Sequence, residues 1–332
     1  QTAVLMGGMF GGAVLASGIS SSIKSIAGLE FQMDKVAAVS GATAAEVKLL
    51  TDNALDLGAR SQFTATQIGN LQENLARLGF STDKIVKMTD SARKLAQVAD
   101  TELAPAAKVI GQQINAFGLE ASEAGRVANV MAESFSKSAL DLEQFAVGMS
   151  YAASSGKAAG FTIEQVTAML GKLTDSGIQG SKAGTALRDI FSDISISGMT
   201  LEESLSQITE STNKNKTAFD LFGKTSQNAA IILAEQREET KKLTAALSDQ
   251  NRELDTMVGI MEDNLLTDFK LLGSSIDGVV QKGGFFTPML RGMTQGLTHF
   301  INAMSAKPGE GVWYESAADE LKKVEEETAA LA

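Results

Sequence analysis

The sequence predicts an all-α protein: a glycine-punctuated helical bundle followed by a long heptad-bearing helix, with no sheet expected. Three observations carry this. The apolar fraction is 44%, ordinary for a globular chain, but aromatics supply only 5% and there are three prolines in 332 residues. Ala, Leu, Met, Lys, Glu and Gln hold helices well, and scarce proline removes the commonest breaker. Helix start and stop signals recur along the chain. Strand alternation is never sustained; the nearest run, Ile194-Ser195-Ile196-Ser197, is too short to carry a sheet.

Residues 1–29 form the first segment. No charge occurs before Lys24, and Gly7/Gly11 and Gly8/Gly12 make two overlapping small-xxx-small pairs on one helix face. Such faces allow close helix packing, in membranes above all. The stretch only just reaches the roughly 20 residues that a bilayer span needs. Three readings stay open: a buried helix within an assembly, membrane insertion, or the remnant of a signal peptide that lacks a basic start.

Residues 30–205 read as a helical core region of short helices. Capping boxes are expected at Thr43/Glu46, Thr64/Gln67, Asp141/Gln144, Thr162/Gln165 and Thr200/Glu203. In each, the first side chain accepts from an orphan backbone N–H and the second reaches back. Gly79-Phe80, Gly118-Leu119, Gly160-Phe161 and Gly177-Ile178 place Gly where a helix needs a left-handed residue, followed by an apolar contact. The first three pairs are spaced by about 40 residues, the length of a helix hairpin. A degenerate hairpin repeat and a single irregular bundle both fit.

Residues 206–282 are expected as a long coiled-coil-like helix. Leu243, Leu247, Gln250, Leu254, Met257, Met261 and Leu265 recur at steps of three and four and continue through Phe269, Leu272, Ile276 and Val279. This heptad-like seam fits self-association, with the polar Gln250 fixing register, and equally fits packing on the chain's own bundle. Residues 283–306 predict an amphipathic helix entered through Pro288. Residues 307–332 predict a linker at Lys307-Pro308-Gly309 and a charged helix that continues beyond the chain, as in a segment of a longer polypeptide.

Reactive chemistry is hard to place. The net charge of −11 disfavours nucleic-acid binding, which rests on Lys and Arg neutralising phosphates. There is no cysteine, so there are no disulfides and no thiol nucleophile. His299 is the sole histidine, too little for a histidine metal site, and no acid lies near it for triad chemistry. Gly223-Lys224-Thr225 imitates the end of a phosphate loop, but Ala218 stands where its first glycine belongs, so a turn is expected. Glu235, Glu238 and Glu239 read as a solvated face, and Trp313-Tyr314 as a packing anchor. The expectation is a non-enzymatic protein with no cofactor and no metal.

Several ordered blocks resemble the core region of phage tail tape-measure proteins. They are the run from Phe31 to Ala42, Leu78-Gly79-Phe80-Ser81, Asn115 to Leu119 with Glu123 to Val130, and Ser176 to Arg188. Phe222-Gly223-Lys224 and the seam follow in the family order. The resemblance implies a structural protein inside a phage or phage-like tail tube, which sets tail length during assembly. It also implies release at infection to help genome delivery across the host envelope. Implied partners are other copies of itself, three or six, and the tail tube protein, tail assembly chaperones, tail-tip or baseplate hub proteins and the host membrane. The implied locations are the tube lumen or tip, the host cytoplasm during assembly and the envelope after ejection. The competing reading is a pore-forming or membrane-acting protein that uses Gly7, Gly8, Gly11 and Gly12. A compact core region could not serve as a ruler, so these residues are expected to act as a plug or docking element.

Overall fold

The computed structural model describes residues 26–249 and 253–263. All the described secondary structure is helical, as the sequence predicts. Helix α1 covers 26–40. It is followed by α2 (Ala44–Ala59), α3 (Ala65–Arg77), α4 (Thr82–Val98), α5 (Leu103–Phe117) and a 3₁₀ turn at Ala121–Glu123. Then come α6 (Ala124–Lys137), α7 (Leu142–Ala158), α8 (Ile163–Asp175), α9 (Gly180–Ser197), α10 (Leu201–Glu210), α11 (Lys214–Glu235), α12 (Arg237–Ser248) and α13 (Glu253–Glu262). The described helices from α2 onward fall in one compact unit, Phe31–Ser275.

The helix starts are those that the capping chemistry dictates. Thr43, Thr64, Thr162 and Thr200 each accept from the backbone N–H three residues on, and Glu46, Gln67, Gln165 and Glu203 close the reciprocal bond. Asp141 accepts from Gln144 N at 2.7 Å, but the Gln144 side chain does not return. The stops are equally local. Gly79, Gly118, Gly160 and Gly177 all have φ between 63° and 86°. At each, the amide of the next residue donates back across the turn, as Leu119 N does to Ile114 O at 2.9 Å. Asp100 closes α4 in the same way at φ 46°, without glycine's freedom.

These turns build a two-row stack. Helices α3, α5, α7, α9 and α11 pack side by side in one row, and α4, α6 and α8 in a second, with α12 added beside α8. Gly79, Gly118, Gly160 and Gly198 close successive helices of the first row, α3, α5, α7 and α9. The glycine period of about 40 residues is therefore a hairpin repeat. The core lies between the rows, where Phe145, Phe191, Leu71, Leu95 and Ile110 are fully buried. Phe161 stacks on Phe191 with centroids 4.8 Å apart.

The all-α expectation stands, but the expected continuous helix over 206–282 does not, in its described part. Residues 211–213 break it after α10, Gln236 separates α11 from α12, and α12 ends at Ser248. Gly223 (φ 67°, ψ 178°) kinks α11, so the Gly223-Lys224-Thr225 motif is a bend in a helix. Steps of three and four require only that one face be apolar, and here that face lies on the stack. Helix α12 packs on α8 and α6, and α13 on α6 and α4, so the two form a strap that runs back across the second row.

Candidate functional site

The strap holds all the described seam residues. Leu243 and Leu247 are buried, Leu247 to 1% exposure, and Leu243 sits where a side chain on Gly171 of α8 would touch it at 3.4 Å. Leu254 is buried on the α4–α6 side. Met257 is half-buried and Met261 is 38% exposed. Val258, which the seam omitted, is the second buried apolar residue of α13. Gln250 and Leu265 lie outside the described residues, as do Gly7, Gly8, Gly11 and Gly12, His299, and Trp313 with Tyr314.

Polar contacts fix the end of the strap. Asn129 of α6 accepts from Leu254 N at 3.0 Å and donates to Asp249 O at 3.5 Å, so it holds the chain on both sides of residues 250–252. Through the first of these bonds α6 supplies the cap that the start of α13 needs. Lys94 of α4 pairs with Asp255 at 2.7 Å, and Gln97 donates to Glu262 at 3.3 Å. Asp90 pairs with both Arg93, at 3.0 Å, and Lys94, at 2.9 Å. Burial opposes the Lys94 charge, but hydrogen bonds to Asp255 and Asp90 outweigh it and hold its pKa above the ordinary value. Burial likewise pushes the Asp90 carboxyl up, and Arg93 and Lys94 bring it below the usual range. Sequence reasoning missed Asn129, Lys94 and Asp255. Their partners lie 120 or more residues away, and the only local signal is the i, i+4 spacing of Leu254 and Val258.

At the other end of the strap, a cleft of about 460 Å³ is lined by Met169, Ile194, Met199, Leu205, Leu233 and Arg237 among others. Its charged rim is paired: Glu202 contacts Arg237 at 3.3 Å and Lys241 at 3.1 Å, and Glu238 beside the cleft contacts the same two cations at 3.6 and 3.4 Å. Apolar walls with a paired rim can hold an apolar side chain, and no nucleophile–base pair lines them. Among the described residues, no group of His, Cys, Asp or Glu could hold a metal ion, and no helix is long and apolar enough to cross a membrane. Glu235, Glu238 and Glu239 pair with Lys214, Lys241 and Lys242 on open helix faces.

The family model for phage-related minor tail proteins matches residues 51–263, from within α2 to the residue after α13. The tape measure protein of Pneumococcus phage Dp-1 is 29% identical over 288 residues, covering 78% of this chain and 25% of its own length. The probable tape measure protein of Escherichia phage P2 is 26% identical over 336 residues, 89% of this chain and 41% of its own. That of Clostridium phage phiCD119 is 25% identical over 316 residues, 80% of this chain and 33% of its own. The chain thus spans a quarter to two fifths of the length of these relatives. No solved structure matches it. A family match that covers the helical stack and its strap from α2 to α13 settles the family: the chain belongs to the phage-related minor tail proteins.

Proposed function

We propose that the chain is the core region of a tape-measure protein, and that the stack is its docking or plug element. The ruler segments then lie elsewhere in the polypeptide. The observation that carries this reading is the coincidence of the family match with the strapped stack. In this reading the protein occupies the tube lumen or tip, helps set tail length during assembly and leaves at infection to assist genome delivery. Its partners are further copies of itself, the tube protein, assembly chaperones and tip or hub proteins, and the host membrane after ejection. Because Leu243, Leu247 and Leu254 spend their apolar surface inside their own chain, self-association while the strap is docked has to use other faces.

The physical argument is one of reach. A ruler has to convert residue count into length, and a continuous helix does so at about 1.5 Å per residue. The stack folds its residues back on themselves instead. Five helices in a row at 8–10 Å spacing span roughly 40–50 Å. The same stretch of about 220 residues would reach roughly 330 Å as one helix.

The test is tail length by electron microscopy of particles whose protein carries an in-frame duplication of residues 44–263. Lengthening by at most about 50 Å is expected. Lengthening by about 330 Å would show that these residues are paid out as ruler. In the companion experiment the gene is interrupted. Tails of uniform, unchanged length in its absence would overturn the tape-measure reading itself.

A further inference from the structure

We infer that α13 is a latch: it undocks from α4 and α6 while the rest of the stack stays folded, and so frees the distal end of the strap. This concerns the fold itself and does not depend on the proposed function.

The first ground is how short α13 is. It has ten residues, and among its described side chains Leu254 and Val258 are the buried ones, while Ile260 is 72% exposed. A helix this short is marginal in water without packing. The cap that α6 lends through Asn129 is lost at the moment of undocking, so docking and helix formation are coupled. The second ground is what α13 leaves behind. Departure would be opposed if it stranded charge on α4, because a buried unpaired charge is costly. It strands none. Arg93, buried on α4, keeps Asp90 at 3.0 Å, and Lys94 keeps the other oxygen of the same carboxylate at 2.9 Å. Arg93 also keeps its bond to the Gln97 side chain at 3.3 Å. Undocking gives up the Lys94–Asp255 and Arg93–Glu262 pairs, at 2.7 and 3.9 Å, but leaves the Asp90 carboxylate bridging both cations. Helix α12, the root of the strap, also buries two apolar residues, Leu243 and Leu247, but it follows α11 directly through Gln236 and is held there by the Glu202–Arg237 and Glu202–Lys241 pairs.

The latch joins distant repeats. Gln97–Glu262 and Asn129–Leu254 span 165 and 125 residues, whereas in a hairpin stack each repeat otherwise contacts its neighbours. Undocking therefore releases the coupling between the C-terminal limb and the first hairpins without disturbing the row contacts.

The absence of cysteine makes the test clean. Val258→Cys places one thiol under the latch, and Ser226→Cys places one in the interior of α11, where Ser226 is fully buried. Each is introduced separately into the 332-residue chain, and thiol labelling is timed under native conditions. The Val258→Cys thiol is expected to react at least about tenfold faster than the Ser226→Cys thiol. Asn129→Ala should accelerate the first a further tenfold and leave the second unchanged. Asp255→Asn, which removes only the Lys94 pair, should accelerate it by a few-fold, and should serve if Asn129→Ala does not fold by circular dichroism. Equal rates at the two thiols, or parallel acceleration of both, would mean that α13 opens only when the whole stack unfolds, and would overturn the latch.

Discussion

Gly184→Ala should unseat the α7–α9 contact. A Cβ built on Gly184 would lie 2.3 Å from Gly148 O and 2.9 Å from Gly148 C and Cα, all backbone. No rotamer change relieves such a clash, so α9 has to move away from α7 by about 1 Å. A gap of that size forfeits a quarter to a half of the dispersion energy along the contact. Overpacking of this kind costs about 3 kcal/mol. Replacing Gly by Ala inside a helix returns about 1 kcal/mol. The net loss is about 2 kcal/mol, which for a unit of this size lowers Tm by roughly 4–8 °C. Two other glycines calibrate the number. The nearest atoms to a Cβ on Gly148 belong to the Leu170 side chain, at 2.6 Å and beyond, which can shift where backbone cannot, so Gly148→Ala should cost less than about 1 kcal/mol. A Cβ on Gly125 would rest at 3.6 Å from Ser91 Oγ, an ordinary contact, so Gly125→Ala should stabilise by about 0.5 kcal/mol. Urea titrations of the three variants, followed by circular dichroism, give the order directly. If Gly184→Ala unfolds at or above the parent's midpoint, backbone approach does not hold α7 to α9.

Three further outcomes rest on single contacts. Arg126 holds Glu164 with two hydrogen bonds, at 2.7 and 3.0 Å, and Glu164 is nearly buried; Arg126→Met should cost about 1–2 kcal/mol in urea, after allowance for solvent screening on the open side of the pair. Burial pushes the Glu164 carboxyl up, but Arg126, the backbone and Thr162 hold it below the usual range. Its stabilisation is thus full above the ordinary carboxylate value near 4.3 and is lost as pH falls through the lower folded value, and a Glu164→Gln chain should show a shallower loss of stability below about pH 4.3 in acid titration. Asp100→Gly should raise stability by about 0.5–1 kcal/mol, because Asp100 holds a left-handed turn that costs a side-chain-bearing residue energy; an unchanged midpoint would count against strain there. Thr64→Ala should lose about 1 kcal/mol by removing the acceptor for Gln67 N, read as a lower melting temperature.

The parts of the fold that were legible in the sequence are those fixed by contacts three or four residues apart. Thr43/Glu46 and Gly118-Leu119 specify a start and a stop with no help from the rest of the chain, and the structure places both where the pattern does. The end of α4 was not legible, because Asp100 takes the place where glycine is the recognisable signal. The fourth hairpin closure, at Gly198, was legible by the same rule, since Gly198-Met199 is again a glycine followed by an apolar residue, although its αL turn makes the single bond from Gly198 N to Ile194 O. Without it the 40-residue period had three members and could pass for coincidence. The block from Ser176 to Arg188 was legible only as a resemblance. Its physical content is three glycines with different tasks: Gly177 ends α8, Gly180 begins α9 with φ 54°, and Gly184 lets α9 touch α7.

The strap shows where reading by period runs out. From Leu243 to Leu254 the apolar steps are those of a coiled coil, and a partner helix in another molecule and a row of helices in the same molecule impose the same steps. The row has a consequence that a straight partner lacks. Its helices stand side by side, so a strap that crosses them meets a new helix every 8–10 Å, or about six residues of helix. Leu243 and Leu247 serve α8 and α6, and Leu254 and Val258 serve α6 and α4. Between the two pairs the helix ends at Ser248, where Asp249 adopts an extended conformation, and Asn129 binds the chain on both sides. A coiled coil would gain nothing from a break there. A strap that has to re-aim its apolar face from one pair of helices to the next needs one. Asn129, nearly buried on α6, has the donor and the acceptor that the interrupted backbone leaves unpaired, so the break in the strap and the residue that holds it are one design.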